Sequence, residues 1–203
     1  KNERKVLPLH KDAKRLAVVG AMADSLKHQA GGWTIDWQGE GLRMHPKSDG
    51  KAKIVGTTLL AAIRAAVSKG TKVTFSADGS NIAGADAVIA VVGEEPYAEG
   101  YGDRADLHLS KEAQDLLGKV KASKVPSVAI LYSGRPMLLD NVEANADAWI
   151  AAWLPGSEGA GITDVLFGDV KPTGKLVHTW PKSQVPINAG DGAEARWPLG
   201  FGL

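Results

Sequence analysis

The sequence contains no cysteine, which excludes disulfide bonds, thiolate metal sites and a cysteine nucleophile without deciding the cellular compartment. An excess of one charge is lacking too, because 24 basic and 23 acidic side chains leave a net charge of +1. A nucleic acid is therefore not an expected partner. No apolar run reaches the roughly 18 residues of a membrane-spanning helix, so no membrane partner is expected either.

Motifs of several common enzyme classes are also missing. The first apolar run is not followed by the G-x-G-x-x-G turn of a dinucleotide site, and no G-x-x-x-x-G-K-[ST] phosphate loop occurs. The segment "PGSEG" (155–159) lacks the spacing of a G-x-S-x-G nucleophile elbow. The five histidines form no H-E-x-x-H pair. The sequence therefore predicts no metal, no cofactor and no nucleotide.

Short apolar runs, rich in β-branched residues, predict a sheet of six strands. Most runs are continuous rather than alternating, which is typical of strands that are covered on both faces. Helical patterns fall between the runs, and this alternation predicts an α/β fold with a mostly parallel sheet and helices on both faces. A chain of 203 residues is expected to form one domain. The six runs are 15–20, 72–76, 86–93, 127–134, 148–156 and 175–180.

Three segments between these runs have a helical period. The first, 56–70, has Thr57 as its predicted N-cap. The second, 109–124, is predicted to begin after an N-cap at Ser110. The third, 156–169, is a weaker helical pattern whose glycines permit close packing.

Two connections are much longer than the usual 2–6 residues of α/β units, and long ordered loops tend to be functional. One is the stretch 22–53, which carries Trp33 and Trp37. The other follows the third predicted strand, at the sheet edge where working groups gather in such folds. Its acidic side chains are Glu94, Glu95, Glu99, Asp103 and Asp106.

A solvated acidic loop is the usual explanation for so many carboxylates. Two features favour chemistry instead. Pro96, Tyr97 and Tyr101 stiffen the acidic loop and can pack, and the other long loop carries two tryptophans. Aromatic faces beside carboxyls are typical of a carbohydrate site, because rings cover the apolar face of a sugar while acids reach its oxygens.

Six motifs, in this order, resemble the second domain of glycoside hydrolase family 3, and in particular its exo-acting β-glucanases and β-glucosidases. The resemblance spans the chain, and the first two motifs are the most specific. The motifs are "GGWTIDWQG" (31–39), "VVGEEPYAEGYGD" (91–103), "LYSGRPM" (131–137), "AWLPGSEGAGITDVLFGD" (152–169), "PTGKLVHTWPKS" (172–183) and "PLGFGL" (198–203).

The resemblance implies an (α/β)6 sandwich, with a six-stranded sheet between two helical layers. It also implies a retaining enzyme that releases glucose from β-glucans. An N-terminal barrel domain supplies the nucleophilic aspartate, and this domain supplies the acid/base glutamate, which is Glu99 by its place in the motif. Trp37 is implied as a wall of the neighbouring sugar subsite, with Trp33 close by. Glu94 matches a glutamate that is not catalytic.

The resemblance further implies that residues 1–203 are one domain of a larger enzyme from which the catalytic barrel is absent. We therefore expect the isolated piece to be inactive, and we expect the full enzyme to be periplasmic or secreted. The alternative is a non-catalytic α/β domain that binds carbohydrate or a partner protein. Such a module would depend on Trp33 and Trp37 but would tolerate the loss of Glu99.

Overall fold

A five-stranded, wholly parallel sheet forms the centre of the computed structural model, which describes residues 1–39, 53–184 and 194–202. The part of the excursion 22–53 that covers residues 40–52 lies outside the described residues, as does Leu203 of the last motif. The strands are β1 Arg15–Val19, β2 Lys72–Ser76, β3 Ala87–Gly93, β4 Ser127–Tyr132 and β5 Ala148–Trp153. Their order across the sheet is β2-β1-β3-β4-β5.

Helices cover both faces of this sheet, as the alternating pattern predicts. Every residue of β3 and β4 is buried, because successive side chains point to opposite faces and both faces are covered. The α-helices are α1 Leu26–Ala30, α2 Leu59–Ala66, α3 Lys111–Ser123 and α4 Gly159–Leu166, with short 3-10 helices at Ala21–Asp24 and Glu143–Asn145. On one face Val88 packs in a cluster with Leu117 of α3. On the other, Ile89 packs in a cluster with Leu59 of α2 and Ile162 of α4.

The predicted sixth strand is wrong. The run 175–180 is mostly exposed, and Val177 is 71% accessible to solvent. Its Leu176 forms backbone hydrogen bonds with the turn at Gly200 and Phe201, so the run does not pair with β5. An apolar, β-branched run is compatible with a strand, but it cannot show whether a neighbouring strand is available.

The last residue of this run, Trp180, belongs to the first of two short antiparallel strands outside the main sheet. They are β6 Trp180–Pro181 and β7 Ala195–Trp197. Trp180 is buried and contacts Trp197 edge-on, with ring centroids 5.5 Å apart. The end of the described chain is therefore fastened by aromatic packing rather than by addition to the main sheet.

The helix caps follow the sequence prediction in one case and shift by one residue in another. Ser110 caps α3 by accepting a hydrogen bond from the backbone N–H of Ala113. The cap of α2 is Thr58, which accepts from the N–H of Ala61 at 3.2 Å, and not the predicted Thr57. The backbone of Thr57 bonds to Ser157 instead, which places this residue in the connection before the helix.

The strand order places the two long loops side by side. After β1 the chain crosses to β2 on one side, whereas after β3 it crosses to β4 on the other side. In parallel α/β sheets such a reversal leaves a crevice at the carboxyl ends of the two central strands, and ligands bind there. The loops that follow β1 and β3 therefore begin at the same place.

Among the described residues, no helix is long and apolar enough to span a membrane.

The contact between α3 and the sheet predicts the effect of a core substitution. Leu117 is fully buried. Leu117→Ala should lower the free energy of unfolding by about 2–5 kcal/mol, because it leaves a cavity under the helix. Chemical denaturation measures this loss. Lys121→Ala, on the exposed side of the same helix, is the matched control and should change stability by less than about 0.5 kcal/mol. Equal losses for both variants would contradict the assigned packing.

Candidate active site

Two loops meet at the carboxyl edge of the sheet. We call Gly31–Gly39, which follows β1 and α1, the tryptophan loop, and Glu94–Leu109, which follows β3, the acid arm. The tryptophan loop approaches the acid arm closely at two glycines. A side chain on Gly32 would place its Cβ 1.9 Å from the Tyr97 carbonyl oxygen, and one on Gly39 would lie 2.6 Å from Pro96. Gly39 also has a φ of 86°, which favours glycine. These close approaches fix one loop against the other.

The base of the acid arm is a buried ion pair. Glu94 is only 8% exposed, and its carboxylate accepts hydrogen bonds from Ser133 Oγ at 2.7 Å and from Arg135 Nη2 at 2.7 Å. The same guanidinium donates to the Gly102 carbonyl at 2.8 Å and lies 4.1 Å from the centroid of the Tyr97 ring. Burial, followed by the charge of Glu94, raises the pKa of Tyr97. Arg135 thus contacts the arm at three places, Glu94, Tyr97 and Gly102.

Glu95 ties the start of the arm to α1. Its carboxylate pairs with Lys27 at 2.6 Å and with His28 Nε2 at 2.9 Å. Burial alone would raise the pKa of Glu95, but hydrogen bonds from Lys27 and then from His28 outweigh it and lower that pKa. His28 Nδ1 in turn lies 2.6 Å from Oγ of Ser25, which caps α1. This chain of contacts attaches the start of the arm to α1, independently of Arg135.

Glu99, the predicted acid, is exposed on the arm beside the tryptophan loop. The indole N–H of Trp33 donates to Glu99 Oε2 at 3.3 Å. The pKa of Glu99 is lowered, first by its own backbone N–H and then by the indole groups of Trp37 and Trp33. The Trp37 N–H is buried and lacks a partner of good hydrogen-bond geometry, yet it still favours the charged carboxylate. In this chain alone the fold therefore favours ionised Glu99.

An aromatic surface surrounds this carboxylate. Trp33 is 67% exposed, and its ring centroid lies 6.3 Å from that of Trp37. Trp37 contacts Tyr101 of the acid arm edge-on at 5.9 Å. The structure thus brings together the three residues predicted as the site, Glu99, Trp33 and Trp37. Their roles in catalysis and binding stay a prediction.

The other acidic residues of the arm have different surroundings. Asp103 is exposed. Asp106 accepts a hydrogen bond from the backbone N–H of His108. The imidazole of His108 lies between the carboxylates of Asp106 and Asp140. Burial would lower the pKa of His108, but hydrogen bonds to Asp106 and Asp140 outweigh it and raise that pKa. The C-terminal end of the acid arm is thus held by the contacts of His108 with two carboxylates.

A cavity of about 260 Å³ lies beside the base of the arm. Glu99, Trp33 and Trp37 are not among its lining residues. The predicted site residues thus lie outside this cavity, with Glu99 and Trp33 exposed to solvent. The lining consists of Met22, Gly93, Glu94, Glu95, Arg104, His108, Ser110, Glu112 and Met137.

The sequence profile of the glycosyl hydrolase family 3 C-terminal domain matches residues 1–203. The chain belongs to this family. It is 32% identical to the periplasmic beta-glucosidase of Salmonella typhimurium over 92% of its own length and 28% of that protein. It is 31% identical to a beta-xylosidase of Formosa agariphila over 100% of its length and 31% of that protein. The chain thus spans about three-tenths of these curated relatives.

Solved structures show the same fold for this family 3 domain. The exo-1,3/1,4-beta-glucanase of a Pseudoalteromonas species superposes with a TM-score of 0.85 at 36% identity, covering 100% of this chain and 26% of that one. A beta-glucosidase from Listeria innocua gives a TM-score of 0.77 at 23% identity, over 100% of this chain and 31% of that one. At that identity the second comparison shows the fold alone.

Sequence reasoning missed three residues that hold this site together: Arg135, Gln38 and His28. Arg135 follows β4 directly, and parallel strands present their carboxyl ends on one edge. Its proximity to the acid arm could therefore have been inferred. Gln38 and His28 had no comparable signal, because their partners lie about 60 residues away along the chain.

The buried ion pair predicts a large effect of Arg135. Arg135→Ala leaves the Glu94 carboxylate buried without its principal cation, and should lower the free energy of unfolding by about 3–5 kcal/mol. Arg4→Ala is the matched control, because Arg4 pairs with Asp147 while 76% of its side chain is exposed, and it should cost at most about 1 kcal/mol. Denaturant titration measures both losses. A loss for Arg135→Ala no larger than the control's would refute the role of the pair.

The indole donors predict the titration of Glu99. In this 203-residue chain its pKa should lie below the roughly 4.3 of an ordinary glutamate. A lowered native pKa contributes stability above the unfolded-state pKa and loses it as the pH falls through the native one. Trp33→Phe keeps a ring but removes the donor, so the pKa should rise. Carbon-13 NMR of the glutamate carboxyls measures this change.

Trp197→Phe is the control for that titration, because the Trp197 ring packs against Trp180 and Phe201. It should leave the pKa of Glu99 unchanged. If Trp33→Phe also left it unchanged, the assigned hydrogen bond would not exist in solution.

Proposed function

We propose that this domain supplies the acid/base residue, Glu99, to a retaining enzyme that hydrolyses β-glucosidic bonds. The observation that carries this proposal is the exposed carboxylate of Glu99 beside Trp33 and Trp37, on an arm whose base is rigidly held by Arg135 and Glu94. A purely structural acidic loop needs no such support. The names of the curated relatives, a beta-glucosidase and a beta-xylosidase, support glycoside hydrolysis as the activity.

The chemistry requires a second carboxyl group from another domain. In a retaining mechanism two carboxyls lie roughly 5–5.5 Å apart across the scissile bond. One attacks the anomeric carbon. The other protonates the leaving oxygen and then takes a proton from the water that releases the sugar. In the proposed enzyme an N-terminal barrel domain provides the nucleophile, and Glu99 performs both proton transfers.

Docking against the barrel must change the ionisation of Glu99. In this chain alone, hydrogen-bond donors lower its pKa, so that near pH 7 it cannot act as an acid. Burial in an interdomain cleft removes water from the carboxyl group, and a nearby carboxylate nucleophile repels its negative charge. Both effects raise the pKa. The acid therefore becomes competent only when the two domains are assembled around the substrate.

The tryptophans supply the apolar surface of the neighbouring subsite. Trp37 is held by Trp33 on one side and Tyr101 on the other, so its ring is fixed beside the acid. In the proposed enzyme, Trp37 forms one wall for the sugar that leaves, and the exposed ring of Trp33 extends this surface. Such rings cover the apolar face of a pyranose.

The name of the Salmonella relative supports a periplasmic or secreted location for the full protein.

The second candidate is a non-catalytic carbohydrate- or partner-binding domain. The wide exposure of Trp33 favours it, because an exposed aromatic surface can bind sugar without an acid. Titration of a β-glucan oligosaccharide into the 203-residue chain discriminates between the two. Firm binding that survives Glu99→Gln and is lost with Trp33→Ala would support the binding module.

Replacement of the proposed acid in the full-length enzyme tests the catalytic role. Glu99→Gln should lower kcat/KM by about 100- to 10,000-fold for β-glucosides with poor leaving groups, which need protonation. For 2,4-dinitrophenyl β-glucoside the loss should be much smaller, because this leaving group departs as an anion. Steady-state kinetics over a series of aryl β-glucosides measures the difference. An equal loss across the series would argue against an acid role.

The 203-residue chain without the barrel provides the control for this assay. It should not turn over any substrate of the series, because it lacks the proposed nucleophile. Turnover by the chain alone would contradict the proposed division of the two carboxyls between domains.

A further inference from the structure

Gln38 joins the tryptophan loop to the backbone of the acid itself. Its side chain is 2% exposed, although it stands next to the half-buried Trp37 in the sequence. The side-chain carbonyl Oε1 accepts a hydrogen bond from the backbone N–H of Ala98 at 2.9 Å. The side-chain Nε2 donates to the backbone carbonyl of Glu99 at 3.5 Å. One amide thus spans the segment from Ala98 to Glu99, as a neighbouring strand would.

The turn around Gln38 explains why its side chain points inward. Asp36 Oδ1 accepts from the Trp37 N–H at 2.7 Å, and the Gly39 N–H donates to the Asp36 carbonyl at 2.9 Å. This tight turn places the indole of Trp37 beside Glu99 and sends the amide of Gln38 under the arm. Both Gln38 contacts are buried or partly buried, so water cannot readily replace them if the arm moves.

The side chain of Glu99 has little else to fix its position. It is exposed, and the residue that donates a hydrogen bond to it, Trp33, is itself 67% exposed. The orientation of an exposed side chain depends chiefly on the backbone from which it starts. The contacts of Gln38 with Ala98 and Glu99 are therefore a buried constraint on the carboxyl group.

We propose that Gln38 is a positioning residue that sets the place of the Glu99 carboxyl group relative to the aromatic subsite. This inference rests on the proposed acid/base role of Glu99. Gln38 does not touch the reacting atoms in this assignment, and it acts through the backbone of the arm. Loss of its amide lets the segment Ala98–Glu99 shift, so protonation of the leaving oxygen suffers while sugar binding by the barrel does not.

The test uses four variants of the full-length enzyme: Gln38→Ala, Gln29→Ala, Glu99→Gln, and the double variant of Gln38 and Glu99. Gln29 is the matched control. It is also a fully buried glutamine with hydrogen bonds to backbone, but its partners are Thr57, Gly156 and Leu59, outside the acid arm. The readout is kcat/KM over aryl β-glucosides of increasing leaving-group pKa, corrected for the folded fraction. A purely structural role does not change that slope.

Gln38→Ala should reduce kcat/KM by about 100-fold for the poorest leaving groups, as expected for a displacement near 1 Å, and by less than about threefold for the best ones. Gln29→Ala should show no dependence on the leaving group. In the Glu99→Gln background, the loss of Gln38 should cost almost nothing further, because both substitutions remove the same proton transfer.

Three results would overturn the proposal. If Glu99→Gln shows a steep dependence while Gln38→Ala is as flat as Gln29→Ala, Gln38 does not position the acid, and the proposed function stands. If the two losses multiply in the double variant, Gln38 acts independently of Glu99. If Glu99→Gln itself is flat, both proposals fail, because no acid is present to be positioned.

Gln38→Glu covers the case in which Gln38→Ala does not fold. Glutamate has the same shape and can still accept from Ala98, but when ionised it cannot donate to the Glu99 carbonyl. It should show a leaving-group dependence of the same sign and smaller size, about 10-fold for the poorest leaving groups. A folded Gln38→Glu variant with wild-type kinetics throughout the series, at a pH where the introduced carboxyl is ionised, would refute the need for the amide donor.

Discussion

The guanidinium of Arg135 is the constraint on which the arrangement of the site depends. It neutralises a carboxylate that is almost completely buried, donates to a carbonyl near the turn of the arm, and packs against an aromatic ring between these points. A planar group with five donors can make these contacts at once, which an ammonium cannot. Because Glu94 has little access to water, release of the arm would leave a buried charge unpaired. The arm is therefore ordered although it is long, and a long ordered arm is what allows an exposed glutamate to have a defined position.

The tryptophan loop and the acid arm each have a buried side that fixes their position and an outward side that faces solvent. On the buried side of each loop a polar side chain is hydrogen-bonded, with Gln38 bound to the acid arm and Glu94 bound to Arg135. On the outward side, the exposed indole of Trp33 and the half-buried indole of Trp37 lie beside the exposed carboxylate of Glu99. Isolated, this carboxylate is held in its ionised form by N–H donors, the opposite of what a general acid needs. In the proposed enzyme the same donors become useful after the first step, when the residue must act as a base.

Much of the framework could be predicted from local pattern. Short apolar runs bounded by turns identify β1 to β5, and the runs of β3 and β4 are continuous because these strands are buried on both faces. The run 175–180 has a similar composition but does not join the main sheet. Strand formation requires a neighbouring strand, and composition cannot reveal whether one is available. Glu99 and the two tryptophans could be selected because their motifs resemble a family. Gln38 could not be recognised as a support, because its partner Ala98 lies 60 residues away along the chain. The position of Arg135 directly after β4, in contrast, indicates its proximity to the acid arm.

The backbone contact between Gly32 and the Tyr97 carbonyl has a mechanical consequence for the proposed enzyme. With the two loops locked to each other, the proposed proton donor and the aromatic wall keep their mutual geometry whenever this domain moves as a whole. In the proposed enzyme, the orientation of the domain on the barrel would then set the reach of the proton donor without a change in either loop.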